Sequence, residues 1–220
     1  MLLFLLSCSK DESSVNSLGG DTNIALTTVD STSGVYIKYR NEQVNNSIIK
    51  VKSREGGIVT YDAVFDISTL SAASKAKLID YYEKAKAYYP VYPSMTITPG
   101  QKLQFNFQLK FTSEGYMDFF TEGKPWVMAK YDDALGTEYS IVDNKLEKLT
   151  RTITEKTGQD DWPFLFYEIK TSKVVQMAAL DDPLLDRIEY RVNHRFGLVY
   201  LEYFLKDGTN LKLDIIAFFV

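Results

Sequence analysis

The strictest constraint in this sequence is a strand-like alternation in the middle of the chain. From 103 to 111, leucine and phenylalanine alternate at every second position with glutamine, asparagine and lysine. A period of two places the apolar side chains on one face of a β-strand and the polar ones on the other. The segment therefore predicts a sheet with one face against a core and the other in solvent.

The same pattern recurs toward the C-terminus. Three apolar residues in 188–192 alternate with charged residues, and an apolar run at 198–205 precedes the sequence Lys-Asp-Gly-Thr at 206–209. Asp-Gly between two apolar runs is typical of a hairpin turn, so we expect three adjacent antiparallel strands that end with 211–219. The sequence Ser-Glu-Gly at 113–115 predicts a turn after the strand at 103–111, and 116–120 predicts the returning strand. Weaker strand patterns lie at 35–39, 48–52, 58–65, 125–131, 138–142, 149–154, 164–170 and 174–179.

One segment has a convincing helical period. Between Thr69 and Tyr89, apolar residues recur on one stripe while four lysines lie largely elsewhere. Thr69 or Ser71 can cap the start and Pro90 ends the helix, and a short second helix is expected at 183–187. Many short strands with one amphipathic helix predict an α+β fold, built on a predominantly antiparallel sheet with the helix packed on it.

Composition excludes several classes of function. The 220 residues contain 25 Lys+Arg against 29 Asp+Glu, so the chain lacks the positive charge of most nucleic-acid-binding proteins. One cysteine and one histidine leave too few ligands for a thiolate or zinc site, and we expect no metal and no cofactor.

The N-terminus carries a processing motif. An apolar run at 1–6 is followed by Ser7, Cys8 and the charged sequence Lys-Asp-Glu at 10–12. These residues resemble the end of a bacterial lipoprotein signal peptide, with Leu5 in the lipobox position three before the cysteine. The charged triplet resembles the surface-export signal of lipoproteins in the Bacteroidota. The resemblance implies that Cys8 is diacylated and holds the protein at the outer membrane, facing the cell exterior.

The predicted organisation has three parts. Residues 1–8 form the signal remnant and lipid site, and residues 9–33, rich in Ser, Thr, Asn, Asp and Gly, form a flexible polar tether. Residues 34–220 form a single β-rich domain. The proline-containing stretch 90–100 either divides this domain or is a connection within it. After the N-terminus, no segment approaches the ~20 uninterrupted apolar residues of a membrane span.

The chain has many aromatic residues, with 15 Tyr, 13 Phe and 2 Trp, and some of them are candidates for binding a ligand. Trp126 and Trp162 stand at junctions between loops and strands, where binding residues are often placed. Tyr81, Tyr88 and Tyr92 cluster around the end of the helix, where one face cannot bury every tyrosine. Tyr and Trp rings suit either a sugar or a protein partner. These five are the candidate ligand-binding residues, and core filling is the alternative for each.

No catalytic set is recognisable. His194 is the sole imidazole, no Gly-x-Ser-x-Gly sequence is present, and the nearby glycine favours an exposed turn. The aspartate pairs at 132–133, 160–161 and 181–182 are better explained as solvated loops than as the carboxylates of a hydrolase, because strand neighbours point to opposite faces.

One enzymatic alternative comes from a second resemblance. The stretches 33–38 and 59–61, with Phe65-Asp66, resemble FKBP-type prolyl isomerases. In that family a tyrosine and a Phe-Asp pair line the proline pocket, which implies that Tyr61, Phe65 and Asp66 do so here. The loop glycine and the Gly-Trp pocket floor of the family are missing from this sequence.

The sequence thus predicts a lipid-anchored outer-membrane or cell-surface protein whose domain binds a glycan or an envelope protein. The first alternative is an enzyme, either a prolyl isomerase or a hydrolase that uses carboxylates. The second is a structural subunit of a surface assembly that is joined through exposed sheet edges.

Overall fold

The computed structural model describes residues 16–25, 33–34, 36–88, 95–158, 160–164 and 166–214. These residues form antiparallel strands in two large sheets and one small hairpin, together with an α-helix. The predicted α+β, predominantly antiparallel fold is confirmed. Within these ranges, no helix has the length and hydrophobicity needed to cross a membrane.

The helix α1 spans Ala72–Tyr88, and a 3₁₀ turn at Ile67–Thr69 precedes it. In chain order the strands are β1 (Ser33–Gly34), β2 (Tyr36–Tyr39), β3 (Glu42–Val44), β4 (Ile48–Glu55), β5 (Ile58–Asp66), β6 (Thr96–Ile97), β7 (Lys102–Phe111), β8 (Gly115–Asp118), β9 (Trp126–Lys130), β10 (Glu138–Val142), β11 (Lys148–Lys156), β12 (Trp162–Phe164), β13 (Tyr167–Ile169), β14 (Ser172–Met177), β15 (Leu185–Asn193), β16 (Gly197–Leu205) and β17 (Asn210–Asp214).

Both large sheets pack around a common core. The first has the order β1-β4-β5-β7-β8-β9, with β6 paired to β7, and the second has the order β10-β11-β14-β15-β16-β17-β2-β3. The expected meander of β15, β16 and β17 is present, and β17 also pairs with β2, which joins early and late parts of the chain. One hydrophobic cluster contains Val59 and Tyr61 of the first sheet and Ile153 and Val174 of the second.

The strands run between two ends of the molecule. At the end that we call the helix end, α1 lies near the segments 40–41, 119–125, 143–147, 178–184 and 206–209. The opposite end, which we call the hairpin end, carries the β12–β13 hairpin and the segments 112–114, 131–137 and 194–196. Hydrogen bonds align the two sheets at the helix end, since Lys124 Nζ donates to the Val142 carbonyl at 3.0 Å.

Helix α1 is tied to the turns of the helix end by polar contacts. Ser71 is the N-cap, and its Oγ accepts a hydrogen bond from the Ser74 amide at 3.3 Å. The Ser71 amide and hydroxyl donate to the Glu42 carboxylate, just after the β2–β3 turn, at 2.6 and 2.8 Å. Lys77 Nζ lies 2.5 Å from Asp207 Oδ2 in the β16–β17 turn. These contacts hold the helix across the strand ends of the second sheet.

Residues 16–25 pack along the first sheet, although the sequence predicts a flexible tether over 9–33. Asn16 Nδ2 donates to the Pro125 carbonyl at 3.0 Å at the helix end, and the leucine of the segment is buried in the core. The Asp21 amide donates to Ser113 Oγ at 2.9 Å at the hairpin end. The tether prediction is therefore corrected for these residues, which run beside β9 from the helix end to the hairpin end.

Two local predictions are wrong. In place of a short helix at 183–187, β15 begins at Leu185, because Asp182 Oδ1 accepts hydrogen bonds from the amides of Leu184 and Leu185 and fixes a turn. The single strand expected at 164–170 is instead the place where β12 turns into β13.

Candidate functional site

A buried polar cluster joins the two sheets. The side chains of Arg151 and Asp118 have no exposed surface, and Arg151 Nη2 lies 2.8 Å from Asp118 Oδ2. Arg151 Nε donates to Gln176 Oε1 at 2.9 Å, Nη1 donates to the Trp126 carbonyl at 3.1 Å, and the guanidinium lies 3.9 Å from the centroid of the Trp126 ring. Tyr190 Oη donates to Gln176 Oε1 at 3.0 Å. The five residues come from β8, β9, β11, β14 and β15, so the cluster fixes how the sheets sit on each other.

This cluster places Trp126 in the core. Its indole N–H donates to the Tyr139 carbonyl at 3.1 Å, and its side chain has no exposed surface. The prediction that Trp126 binds a ligand is therefore corrected to a core role. Burial raises the pKa of Asp118, and the charge of Arg151 opposes this rise. Because all five residues of the cluster are buried, we assign the cluster a structural role.

Tyr88, Lys145 and Asp181 meet on the surface of the helix end. Tyr88 Oη donates to Asp181 Oδ1 at 2.7 Å, and Lys145 Nζ donates to Tyr88 Oη at 2.8 Å and to Asp181 Oδ2 at 2.9 Å. Hydrogen bonds from Tyr88 and Lys145 lower the pKa of Asp181. The ammonium also lies 4.1 Å from the centroid of the Tyr88 ring, so it covers one face on which a ligand would stack.

Four aliphatic side chains at the helix end are exposed. Leu146, in the loop after β10, is 86% exposed, and Leu180, in the loop after β14, is 96% exposed. Val142 and Met177, the last residues of those strands, are more than half exposed. The Lys145–Asp181 ion pair joins the two loops, so all four side chains belong to the same end of the molecule. We call these four residues the aliphatic patch.

Tyr81 lines a cleft between α1 and the turns of the helix end. The cleft has a volume of about 150 Å³. Its walls carry Lys77, which pairs with Asp207 at 2.5 Å, and Lys84, which pairs with Asp80 at 2.7 Å. Pockets for drug-sized ligands are roughly 300–1,000 Å³. This cleft therefore suits at most a small ligand, and these charged groups already neutralise one another.

The β12–β13 hairpin presents its aromatic side chains in different ways. Trp162 is held by the Arg191 guanidinium, 4.0 Å from its ring centroid, and by an edge contact with the Tyr200 ring at 5.4 Å. Phe164, the last residue of β12, is buried in a small hydrophobic cluster with Phe196 and Val199. Phe166, between β12 and β13, is 98% exposed. An anchored hairpin thus carries an exposed phenyl ring.

The remaining titratable candidates lie in turns. His194 is exposed between β15 and β16, as expected of a turn residue. Asp133 Oδ2 accepts a hydrogen bond from Tyr139 Oη at 2.7 Å, Asp182 stabilises the turn before β15, and the pair 160–161 is exposed. Among the described residues, no three His, Cys, Asp or Glu side chains are grouped to hold a metal ion.

The residues assigned to a proline pocket by the FKBP resemblance are not arranged as an open pocket. Tyr61 has no exposed surface, and its ring stacks on Phe107 with centroids 4.9 Å apart. Phe65 is buried, and Asp66 Oδ1 accepts a hydrogen bond from the Ser68 amide at 3.1 Å as the cap of the 3₁₀ turn. Tyr61 and Phe65, whose surfaces are filled by core contacts, are not available to a substrate.

Of the other candidates from the sequence, Cys8 and Tyr92 lie outside the described residues. Tyr81, Tyr88 and Trp162 are each partly buried; the two tyrosines lie two turns apart on α1 at the helix end, and Trp162 lies at the hairpin end. The structure therefore does not bring the four described aromatic candidates together into one site.

The most exposed apolar side chains were not singled out by the sequence reasoning. Leu146, Phe166 and Leu180 are of residue types that are usually buried. The sequence pattern cannot show whether a single apolar residue in a short loop is buried or exposed. A local signal exists for two of them, because Leu146 stands in a polar turn and Leu180 directly precedes two aspartates and a proline.

No protein-family model matches this sequence, and no curated protein matches it either. Among solved structures, the chain is similar to the hypothetical protein CT021 from Chlamydia trachomatis, with 9% sequence identity over 87% of this chain and 91% of that chain, and a TM-score of 0.35. A likeness at this level carries no argument about fold or function.

Proposed function

We propose that this chain is a lipid-anchored outer-membrane binding module, and that its ligand is a protein contacted by the hairpin end. The anchor is supported by the lipobox-like sequence that ends at Cys8. The binding role is supported chiefly by Phe166, a 98% exposed phenyl ring on a hairpin that is anchored by Phe164 and Ile169 in a buried cluster. Burial of such a ring by a partner contributes about 1.5–3 kcal/mol.

The contacts of the other aromatic rings support a protein over a glycan. A ring that stacks on a sugar needs an open face with hydrogen-bonding groups nearby, but Lys145 lies over Tyr88 and Arg191 lies over Trp162. Phe166 has no polar atom with which to bind a sugar hydroxyl. A bare phenyl ring suits an apolar pocket in a protein, where anchored aromatic residues are common hot spots.

Photocrosslinking tests the binding site directly. The full chain carries benzoylphenylalanine in place of Phe166 in intact cells, and adducts are identified by mass spectrometry. The control carries the same group in place of Gln104, which is exposed on β7. We expect a defined protein adduct at 166 that is absent at 104. Equal adducts at both positions, or none at either, would contradict the proposal.

Phe166→Ala provides the matched binding test. Because the ring is almost fully exposed, its removal should leave the free energy of unfolding nearly unchanged while capture of the crosslinked partner is lost. Leu135→Ala, which truncates another exposed apolar residue at the hairpin end, is the control and should retain capture. If a glycan array responds to the wild type and the response is lost in Phe166→Ala, the ligand is a glycan and the protein assignment is wrong.

The anchor has its own test, because Cys8→Ser removes the sulfur that would carry the acyl chains. We expect the variant to move from the membrane fraction to the soluble fraction while the wild type stays with the membrane. If the variant stays with the membrane, the lipidation proposal fails.

A further inference from the structure

The structure also indicates which end of the domain faces the lipid. We infer that the helix end rests on the bilayer that holds Cys8, with the aliphatic patch in the interfacial layer. This inference rests on the lipid anchor of the proposed function and goes beyond it by assigning a second membrane contact and an orientation.

The first step is the direction in which the chain enters the domain. Asn16 is fixed at the helix end, where its Nδ2 donates to the Pro125 carbonyl and its Oδ1 accepts from the Val127 amide at 2.8 Å. From there the chain runs toward Ser113 at the hairpin end. A lipidated cysteine would therefore be connected to the domain from the helix end.

The second step is the reach of the connection. Eight residue steps separate Cys8 from Asn16, and a fully extended chain covers at most about 29 Å over that distance. Strands β15 and β16 have nine residues each, which separates the two ends by about 30 Å. The connection therefore keeps the helix end close to the lipid and favours an orientation in which the hairpin end points away.

The third step is the chemistry of the surface that this orientation brings to the bilayer. Leu146 and Leu180 project from two loops with 86% and 96% of their surface exposed, and Val142 and Met177 stand beside them. Apolar side chains on a polar surface bind the boundary between lipid headgroups and acyl chains. Two leucines give an isolated domain only weak attachment, but a short tether supplies a high effective concentration, so weak contact is enough.

The charges around the patch indicate that this contact is apolar rather than electrostatic. Lys145 pairs with Asp181 at 2.9 Å, and Lys124 pairs with Glu122 at 2.8 Å. Paired charges offer no excess of positive charge to anionic lipids. The contact should therefore persist on uncharged lipid and at high salt concentration.

The test uses the lipidated full chain in vesicles of phosphatidylcholine. Leu180→Cys receives an environment-sensitive fluorophore, and only the new thiol reacts because Cys8 is blocked by acylation. The control is Leu135→Cys, labelled in the same way at the hairpin end. We expect a blue-shifted emission and quenching by spin-labelled lipid at position 180, unchanged in 1 M salt, and neither effect at position 135.

A second variant separates the patch from the anchor. In Val142→Cys, labelled as above, we expect lipid quenching that is lost when Leu146→Asp and Leu180→Asp are added, while the protein still sediments with the vesicles. Quenching at 180 no greater than at 135, in protein that sediments, would overturn the inference and leave the anchor intact. A blue shift at 180 without lipid quenching would also overturn it, and would indicate a protein partner on the patch. Failure of the wild type to sediment would instead refute the anchor itself.

Discussion

The buried ion pair between Arg151 and Asp118 allows a quantitative prediction. Asp118→Asn keeps the shape of the side chain and an oxygen that can still accept the Phe120 amide, now 3.1 Å from Asp118 Oδ1. It removes the negative charge beside a guanidinium that has no exposed surface. Loss of one partner from a buried pair costs about 3–5 kcal/mol, because the other charge stays buried and uncompensated. We expect a decrease of this size in the free energy of unfolding.

Urea unfolding followed by circular dichroism measures this loss, and the same sheet provides a control. Asp62 pairs with Lys52 across 3.8 Å, but both side chains are about half exposed, so Asp62→Asn should cost no more than about 1 kcal/mol. The double variant Asp118→Asn/Arg151→Met should lose less stability than the sum of the single variants, because no buried charge is left alone. A cost for Asp118→Asn below about 1 kcal/mol, equal to that of Asp62→Asn, would refute the reasoning.

The pair also predicts a pH dependence in Arg151→Met. Burial already raises the pKa of Asp118, and loss of the guanidinium removes the charge that opposes this rise. A carboxyl whose pKa is higher in the folded than in the unfolded protein binds more protons when folded, so stability falls as pH rises through the interval between the two values. Arg151→Met should therefore be more destabilised at pH 8 than at pH 5. The double variant, which lacks the carboxylate, should not show this difference, and equal losses at both pH values in Arg151→Met would contradict the assignment.

Two further predictions concern the helix end and the turn between β15 and β16. Hydrogen bonds from Ser71 and Ser74 at the start of α1 lower the pKa of Glu42 below its ordinary value of 4.5. The ionised Glu42 side chain therefore stabilises the folded protein above pH 4.5, and this stabilisation is lost as the pH falls through the pKa of Glu42 in the folded protein. Glu42→Gln should lose this acid sensitivity in urea titrations between pH 6 and pH 3, and an unchanged pH profile would argue against the contact. Gly197 has a φ of +70°, and a Cβ there would lie 2.3 Å from Tyr116 Oη, so Gly197→Ala should cost well over 1 kcal/mol in thermal unfolding. Gly208→Ala is the control, because Gly208 has a φ of +80° but a Cβ there would meet no atom within 4 Å. This variant should lower the free energy of unfolding by about 1 kcal/mol. Equal losses in the two variants would show that the clash at Gly197 is relieved.

Local pattern was sufficient for most of the architecture. The alternation at 103–111 correctly predicted which face of β7 packs on the core, because the side-chain period of a strand depends only on its own backbone. The helical stripe located α1 within a few residues, with Ser71 as its cap. The errors at 183–187 and 164–170 occurred where a turn overrides the apolar pattern. The Asp182 side chain fixes the first turn, and burial of Phe164 and Ile169 fixes the hairpin that contains the second.

The candidate sites were less predictable. Trp126 has the sequence environment of a binding residue, at the start of a strand after a loop, yet the Arg151 guanidinium covers its ring in the core. Nothing in the sequence near 151 indicates that this arginine is buried. Its partners are 24 to 39 positions away along the chain, and some of them, including Asp118 and Trp126, lie in the other sheet.

The sequence by itself determined an antiparallel α+β fold and a candidate lipid site at Cys8, because both depend on short contiguous patterns of side-chain chemistry. Tertiary structure alone decided which polar groups are buried, which apolar side chains are exposed, and that the chain enters the domain at the helix end, where Asn16 is held. These properties depend on which strands become neighbours and on which end of the sheets each loop occupies. Packing between segments that are distant in the sequence decides which strands become neighbours, and a local sequence pattern does not predict that packing.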